Sequence, residues 1–332
     1  MRNSLSRFSL PAIAAILLSA AWAGRAESVK LTRHDSVIDV EIGGKPFTTY
    51  TFSPEFSKAF LQPLRDAKGN ILTREIPIGN VIPPEHEHDQ AVEPHQRGMY
   101  FAHGDLNGYT FWFEEAFKGF YSHPETIKFG RMVFRRIDEI DSGTSSGTIR
   151  ATFDLEGDNH KPFAQETQEY TFSGDSEIRI IDCEYVIKAG PEPVVFGDTK
   201  EGTFGIRLRP ELNAPAGVMV NSEGGQGEAQ IWGKRANWVN VDGVIGGQQL
   251  GIAVFDAPDS FRHPVYWHAR GYGLLAANPF GLSYFLHDPK QSGAYTLPAR
   301  ESIRFHYRVV IHEGTYKDAK IAQKYHEFAV KP

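Results

Sequence analysis

Residues Val37–Phe52 read VIDVEIGGKPFTTYTF. Two arms rich in β-branched and aromatic residues flank Gly43-Gly44. That pattern predicts a tight hairpin, because both central positions of the favoured two-residue turn need a positive φ. Strands are therefore expected over Val37–Ile42 and Lys45–Phe52. Runs of similar character follow at Thr126–Ile137, Thr148–Leu155, Gln165–Phe172, Glu177–Ile187, Thr203–Leu208, Gly217–Asn221, Leu250–Phe255, Leu282–Leu286 and Ser302–His312. Most are separated by turn formers such as Gly157-Asp158-Asn159 and Ser173-Gly174-Asp175. Helical periodicity is clear only near the end, where Ile321, Ala322, Tyr325, Phe328 and Ala329 share a face and Thr315-x-x-Asp318 has the form of a capping box. No helices alternate with strands, which argues against a doubly wound parallel sheet. The expected fold is all-β: a large antiparallel β-sandwich of supersandwich type with a short C-terminal helix. With no internal repeat and no low-complexity linker, residues 27–332 are expected to form a single domain.

The chain has 332 residues, 41% of them hydrophobic, enough to bury a large core. Its net charge of -6 gives no basic field, which argues against nucleic acid and anionic membrane as partners and in favour of a small-molecule or glycan ligand. Arg2 and Arg7 precede the apolar run Leu10–Ala21, followed by small residues at Ala21-Trp22-Ala23 and at Gly24-Arg25-Ala26. This predicts a signal peptide over residues 1–26 and a periplasmic or secreted mature protein. No other run is long and apolar enough for integral membrane association through a helix. The sole cysteine, Cys183, shares a strand face with Ile181, Tyr185 and Ile187, so it is expected to be packing and not a nucleophile.

Polar chemistry concentrates in Pro83–Trp112, PPEHEHDQAVEPHQRGMYFAHGDLNGYTFW. His86, His88, His95 and His103 stand there beside Arg97, Asp105, Asn107 and Trp112, a mixture suited to holding and protonating a polar ligand. Three further clusters add to it. Lys200, Glu201 and Arg207 fall at a turn and on the strand after it, and Trp232 and Lys234 lie in a loop. In Tyr266-Trp267-His268-Ala269-Arg270, strand alternation sets Trp267 against His268 and Arg270. Asn278 sits in a tight turn. His86-x-His88 could present two imidazoles on one face, with His95 or His103 and Asp89 or Asp105 completing a metal site, but the spacing defines no known site. No metal or other cofactor is assigned.

Five ordered motifs carry a resemblance: His95-x-Arg97-Gly98 with Phe101–Gly108 and Trp112, Gly197–Gly202, Trp232-Gly233-Lys234, Tyr266-Trp267-His268-x-Arg270, and Asn278-Pro279-Phe280-Gly281. From about Lys45 to Gly314 the chain resembles the DUF6807 family, often labelled the PmoA family. That label suggests a membrane-integral methane mono-oxygenase subunit, against which the lack of transmembrane helices argues. The resemblance implies an exported β-sandwich protein with a link to carbohydrate. Where the family has an Asp-His-Pro-His-His-Arg-Gly-like run, this chain has Val92-Glu93-Pro94-His95-Gln96-Arg97-Gly98. Glu93 and Gln96 replace two histidines, which removes ligands that a metal cage would need.

Two classes of function follow. In an exported carbohydrate-active enzyme, His95, His103 or His268 would be general acid or base and Glu201 or Asp105 the partner carboxylate. Arg97, Arg207 and Arg270 would anchor the ligand, Trp232 or Trp267 would stack on the sugar, and Asn107, Trp112, Lys200, Lys234 and Asn278 would complete the binding set. Epimerase, lyase and hydrolase all remain open; two carboxylates suit hydrolysis, and a base beside arginines suits elimination from an acidic sugar. The alternative is a non-catalytic glycan-binding or cell-envelope module. Convergence of imidazoles and carboxylates on one concave site separates the two.

Overall fold

Gly43 and Gly44 take φ values of 62° and 73°, and the hairpin closes with Ile42 opposite Lys45. This is seen in a computed structural model that describes residues 25–86 and 92–330. The hairpin lies near one edge of an eight-stranded antiparallel sheet, here the site sheet. Its spatial order is Val29–His34, Val37–Ile42, Lys45–Thr51, Phe60–Leu61, Met99–Phe101, Phe204–Arg207, Leu274–Asn278 and Tyr266–Arg270. A second eight-stranded sheet, the back sheet, runs Val218–Asn221, Trp238–Ile245, Gln248–Asp256, Ser302–Glu313, Ile178–Ala189, Pro162–Gly174, Ser146–Glu156 and Arg131–Asp141. The fold is an antiparallel β-sandwich, as expected.

Aromatic rings from the two sheets meet in the layer between them. Phe101 stacks on Tyr185 at 4.1 Å and Phe204 on Tyr307 at 4.9 Å, while Phe47 meets Phe172 edge-on at 6.2 Å. Each such buried ring contributes about 1.5–3 kcal/mol through the apolar surface it removes from water. Cys183 lies in this layer, fully buried. The outer edge strand Arg131–Asp141 is rich in charged side chains and has two register shifts, devices that discourage pairing with another chain. The helix Ile321–Ala329 sets Ile321 and Phe328 on the outer side of the back sheet against Phe255 and Val310. Thr315 and Asp318 exchange backbone-to-side-chain bonds of 2.9 and 3.3 Å, closing the expected box one turn ahead of that helix.

The two sheets differ in how far their sequences reveal them. Ile178–Ala189 alternates between buried and half-buried along its length, as a strand with one covered face must. Met99–Phe101, Phe204–Arg207 and Leu274–Asn278 are buried on both faces, so they show no alternation, and the first and last were not recognised as strands. Val29–His34 and Trp238–Ile245 are further strands that the sequence reading did not name. One expected strand is corrected: Leu282–Phe285 is a helical turn. The Asn278 side-chain oxygen accepts from the backbone N–H of Phe280 at 2.8 Å and of Gly281 at 3.2 Å, and this reverses the chain into the turn. Another is shortened, since Pro124–Thr126 is a 3-10 turn and the strand begins only at Arg131. Residues 1–24, nearly all of the expected leader, lie outside the described residues, as do His88 and Asp89. No helix among the described residues is long and apolar enough to cross a membrane.

Candidate functional site

Strand pairing places Tyr100, Gly205, Ala276 and His268 in one row across four neighbouring strands of the site sheet. Their neighbours Phe101, Phe204, Ala277 and Trp267 point into the core, so alternation turns the row to the outer face. At about 4.8 Å per strand the row spans roughly 14 Å. Its two middle members have almost no side chain; the Tyr100 and Trp112 rings cover Gly205, so the candidate recess is the ground over Ala276, between those rings and His268. At Gly205 an added Cβ would lie 2.9 Å from the Trp112 ring and 3.0 Å from that of Tyr100, so both rings rest directly on the backbone.

Buried charges hold the Tyr100 end. Glu114 receives Arg97 through two bonds of 2.8 and 2.6 Å and pairs with Lys58 at 2.9 Å. Lys58 also donates to the carbonyl of Trp112 at 2.6 Å and lies 4.9 Å from the Tyr100 ring. Arg74 gives its guanidinium to the carbonyls of Ile76, Val92, Glu93 and Gln96, which pins the segment bearing His95. Gln96 then bridges Arg207 to the Tyr272 hydroxyl, and the Tyr272 ring lies 4.5 Å from the Arg207 guanidinium and 5.4 Å from that of Arg270. A surface cavity of about 520 Å³ lined by Arg74, His86, Val92 and Arg207 adjoins this wall.

At the other end His268 points Nδ1 at the carbonyl of Lys200, 2.8 Å away. A carbonyl can only accept, so Nδ1 carries the proton and Nε2 keeps its lone pair. Trp232 stands edge-on to this imidazole at 6.4 Å, Lys200 pairs with Glu201 at 3.2 Å, and Arg270 pairs with Glu228 at 2.9 Å. Glu93, Lys200, Glu201, Trp232, Arg270 and Tyr272 are partly exposed and form the mouth.

Several buried polar atoms around this recess have no hydrogen-bond partner in the protein: both nitrogens of His95, the Tyr100 hydroxyl, Trp112 Nε1, Trp232 Nε1 and His268 Nε2. Such atoms are rare in folded proteins, because leaving one unmade costs about 1–3 kcal/mol. Burial sets their charge states. It pushes the His95 imidazole well below its ordinary range, helped by Lys58, Arg74, Arg207 and Arg97, and lowers His268 to about 3, helped by Lys200. Burial also holds Tyr100 well above the usual phenol range, with the Glu201 carboxylate adding to it, so its hydroxyl keeps a proton. Glu93 is raised by burial and then by Glu201. At neutral pH the recess thus offers uncharged imidazoles and a phenol beside carboxylates and guanidinium groups.

Of the residues singled out in the sequence, His95, Trp112, Lys200, Glu201, Arg207, Trp232, His268 and Arg270 come together here. The others lie elsewhere or are committed to structural bonds. Arg97 spends its guanidinium on Glu114, Gly79 and Asn80, and supports the wall from behind. His103 sits in the core on the opposite face, between Phe196 and Phe280, with Nε2 at 2.9 Å from the Gly197 carbonyl and burial lowering it to about 4. Asp105 and Asn107 serve turns, accepting from the N–H groups of Gly108 and Val195. Trp267 is fully buried with its N–H on the Ala236 carbonyl, so it fills the core instead of stacking on a ligand. Asn278 caps its turn and donates to the Thr199 carbonyl. Lys234 is exposed beside the edge strand, where its carbonyl accepts from Trp267. Among the described residues no group of three or more His, Cys, Asp or Glu side chains is arranged to hold a metal.

The sequence pattern of DUF6807, a family of unknown function, matches residues 37–326. The chain belongs to this family. No curated protein matches it. Among solved structures, this DUF6807 protein is similar to a galactose mutarotase-like protein from Clostridium acetobutylicum at 12% identity, with 87% of this chain and 99% of that one covered and a TM-score of 0.44. It is also similar to galactose 1-epimerase from Lactobacillus acidophilus at 10% identity, with coverages of 88% and 100% and a TM-score of 0.32. Tyr100, Tyr272 and Lys58 of the DUF6807 site had no signal in the sequence. Each belongs to a stretch whose local pattern reads as ordinary packing, and each acquires its role from residues distant in the chain. Glu93 and Gln96 did stand out, as the two departures from the family's histidine run.

Proposed function

We propose that this DUF6807 protein is an exported, single-domain carbohydrate-active enzyme that binds a sugar or glycan over Ala276, between the Tyr100 and Trp112 rings and His268. One observation supports this above the others: the unpartnered polar atoms of Tyr100 and Trp112 on one side and of Trp232 and His268 on the other flank the small residue Ala276. A sugar ring presents hydroxyls around its rim and C–H groups on its faces, so it can satisfy such atoms at several points while lying against indole and phenol rings.

In this reading Glu201 at the mouth is the carboxylate that exchanges a proton with the sugar. His268, uncharged, receives a hydroxyl proton or hydrogen bond at Nε2, and His95 and Tyr100 act from the opposite wall. Arg207 and Arg270, held on either side of Tyr272, fix the ligand's orientation. The test is to incubate the purified mature protein with a panel of glycans and modified sugars and follow products by mass spectrometry, with His268→Ala in parallel. A product that forms with the native protein and fades with the variant is expected. Sugar binding with no product from any compound would move the assignment to a glycan-binding module. N-terminal sequencing of the exported protein checks the leader, with a start after Ala23 or Ala26 expected.

A further inference from the structure

The two ends of the recess differ in hydrogen-bonding sense. At the Tyr100 end, the atoms without a protein partner include Trp112 Nε1, which can only donate, together with the Tyr100 hydroxyl and the nitrogens of His95. Lys58, Arg74, Arg97 and Arg207 all act on the His95 imidazole. The carboxylates facing them are Glu114, bonded to two of the four, Glu93, whose Oε2 is 3.7 Å from His95 Nδ1, and Glu201 at the mouth, paired with Lys200 and acting on Tyr100, so the cations outnumber the carboxylates at this end. At the far end the sense is mixed, since His268 has given its one N–H to the Lys200 carbonyl and offers an acceptor, and Trp232 Nε1 offers a donor beside it, a pair that a hydroxyl, which both donates and accepts, can answer.

A ligand that satisfies both ends needs an acceptor-rich group at one end and hydroxyls at the other. A carboxylate accepts only, through two oxygens, and gains from a positive field. A neutral sugar's hydroxyls could answer the donors but would gain little from the surrounding cations. We propose that the recess takes a sugar bearing a carboxylate, seated with the carboxylate against Tyr100 and Trp112 and with its hydroxyls toward His268 and Trp232. This rests on the reading of the recess as a sugar site and narrows it to acidic sugars.

Calorimetric titration of the mature protein with matched pairs tests it: oligomers of galacturonate against oligomers of galactose, and methyl glucuronide against methyl glucoside. The acidic member is expected to bind at least about tenfold more tightly, with an advantage that shrinks as salt is raised. Tyr100→Phe, which removes one hydroxyl and keeps the ring, should cut that advantage about tenfold at an unchanged melting temperature. Should that variant misfold, Trp112→Phe removes the indole donor instead. Equal binding of acidic and neutral partners would overturn the inference and leave the sugar reading intact, whereas no binding by any sugar would overturn both. Full preference retained by a folded Tyr100→Phe or Trp112→Phe protein would overturn the seat assigned to the carboxylate.

Discussion

The outer faces of the two sheets both carry polar side chains and use them in different ways. On the back sheet, charge meets charge across neighbouring strands. Arg308 makes two bonds to Asp182, directly opposite it, at 2.6 and 2.8 Å, and Arg150 bonds Glu169, also directly opposite, at 2.6 Å. Arg304 reaches Glu184 at 2.6 Å, and the C-terminal helix covers the neighbouring apolar ground. These are partly exposed, satisfied ladders of the kind that solvate a sheet and contribute little individually. Around the central strands of the site sheet a fully buried ion-pair cluster, Lys58–Glu114–Arg97, adjoins polar atoms that are themselves buried with nothing in the protein to bond. A polar residue whose valences are filled explains the fold, and a cluster of unfilled ones on one face marks a candidate site. Asp105, Asn278 and Arg97 are of the first kind, and His95, Tyr100, Trp112 and His268 form such a cluster, whereas the unfilled Nδ1 of His103 lies on the core side of the sheet, apart from it.

The largest expected effect tests that division directly. Once a turnover is in hand, His268→Ala should lower it by roughly 10²–10⁴-fold with little change in melting, whereas His103→Ala should shift melting and spare the turnover rate of the folded fraction. The reverse result would mean that core and site have been exchanged. Next, Glu114→Ala leaves two buried cations without their carboxylate and should cost about 3–5 kcal/mol in chemical denaturation. The matching change on the back sheet, Glu169→Ala, removes a partly exposed partner and should cost no more than about 1 kcal/mol. Equal costs for the two would erase the distinction between buried and solvated pairs.

The pH dependence of stability should have an acid limb, set by imidazoles of both sheets, and an alkaline limb, led by a carboxyl group of the back sheet. On the site sheet, His268 and His103 are lowered from 6.5 to about 3 and about 4, each mainly by burial, and His95 falls in the same direction. Below pH 6.5 the unfolded chain binds protons that the folded chain refuses, so stability falls as pH drops toward those values, by up to ~1.4 kcal/mol per unit for each imidazole. His312 of the back sheet, lowered to about 4, adds to this acid limb. Glu166 of the back sheet faces the inner layer, accepts from Gln168 at 2.7 Å, and is raised by burial from 4.5 to about 8. Between those values the folded state keeps a proton that the unfolded state has lost, so stability falls as pH rises and the loss is complete above about 8. Glu166→Gln should flatten this alkaline limb in melting curves taken from pH 5 to 9 and leave the acid limb in place. The smallest effect is Cys183→Ala, about 1 kcal/mol of stability with turnover unchanged, read from paired melting and activity measurements. Loss of turnover in that folded variant would place chemistry in the core layer, where the division allows none.

What the sequence determined by itself was everything that depends on local pattern. The glycine pair at residues 43 and 44 specifies its turn because only a residue without Cβ takes two successive positive φ values cheaply. The long strands of the back sheet announce themselves by alternation, which also placed Cys183 inside and set Trp267 and His268 on opposite faces. The motifs also mark segments that the fold brings together on the outer face of the site sheet, Glu93 and Gln96 among them. Only the tertiary structure decided which face of Tyr266–Arg270 was the core, and so that His268 and not Trp267 looks outward. It also decided that His103 lies behind the sheet from His95, and that Tyr100, Gly205, Ala276 and His268 form one row. Register between strands far apart in the chain is set by packing against the other sheet, and a shift of one residue would exchange the two faces. Central strands buried on both sides carry no alternation to signal that register, so the residues that make the recess were the least legible in the chain.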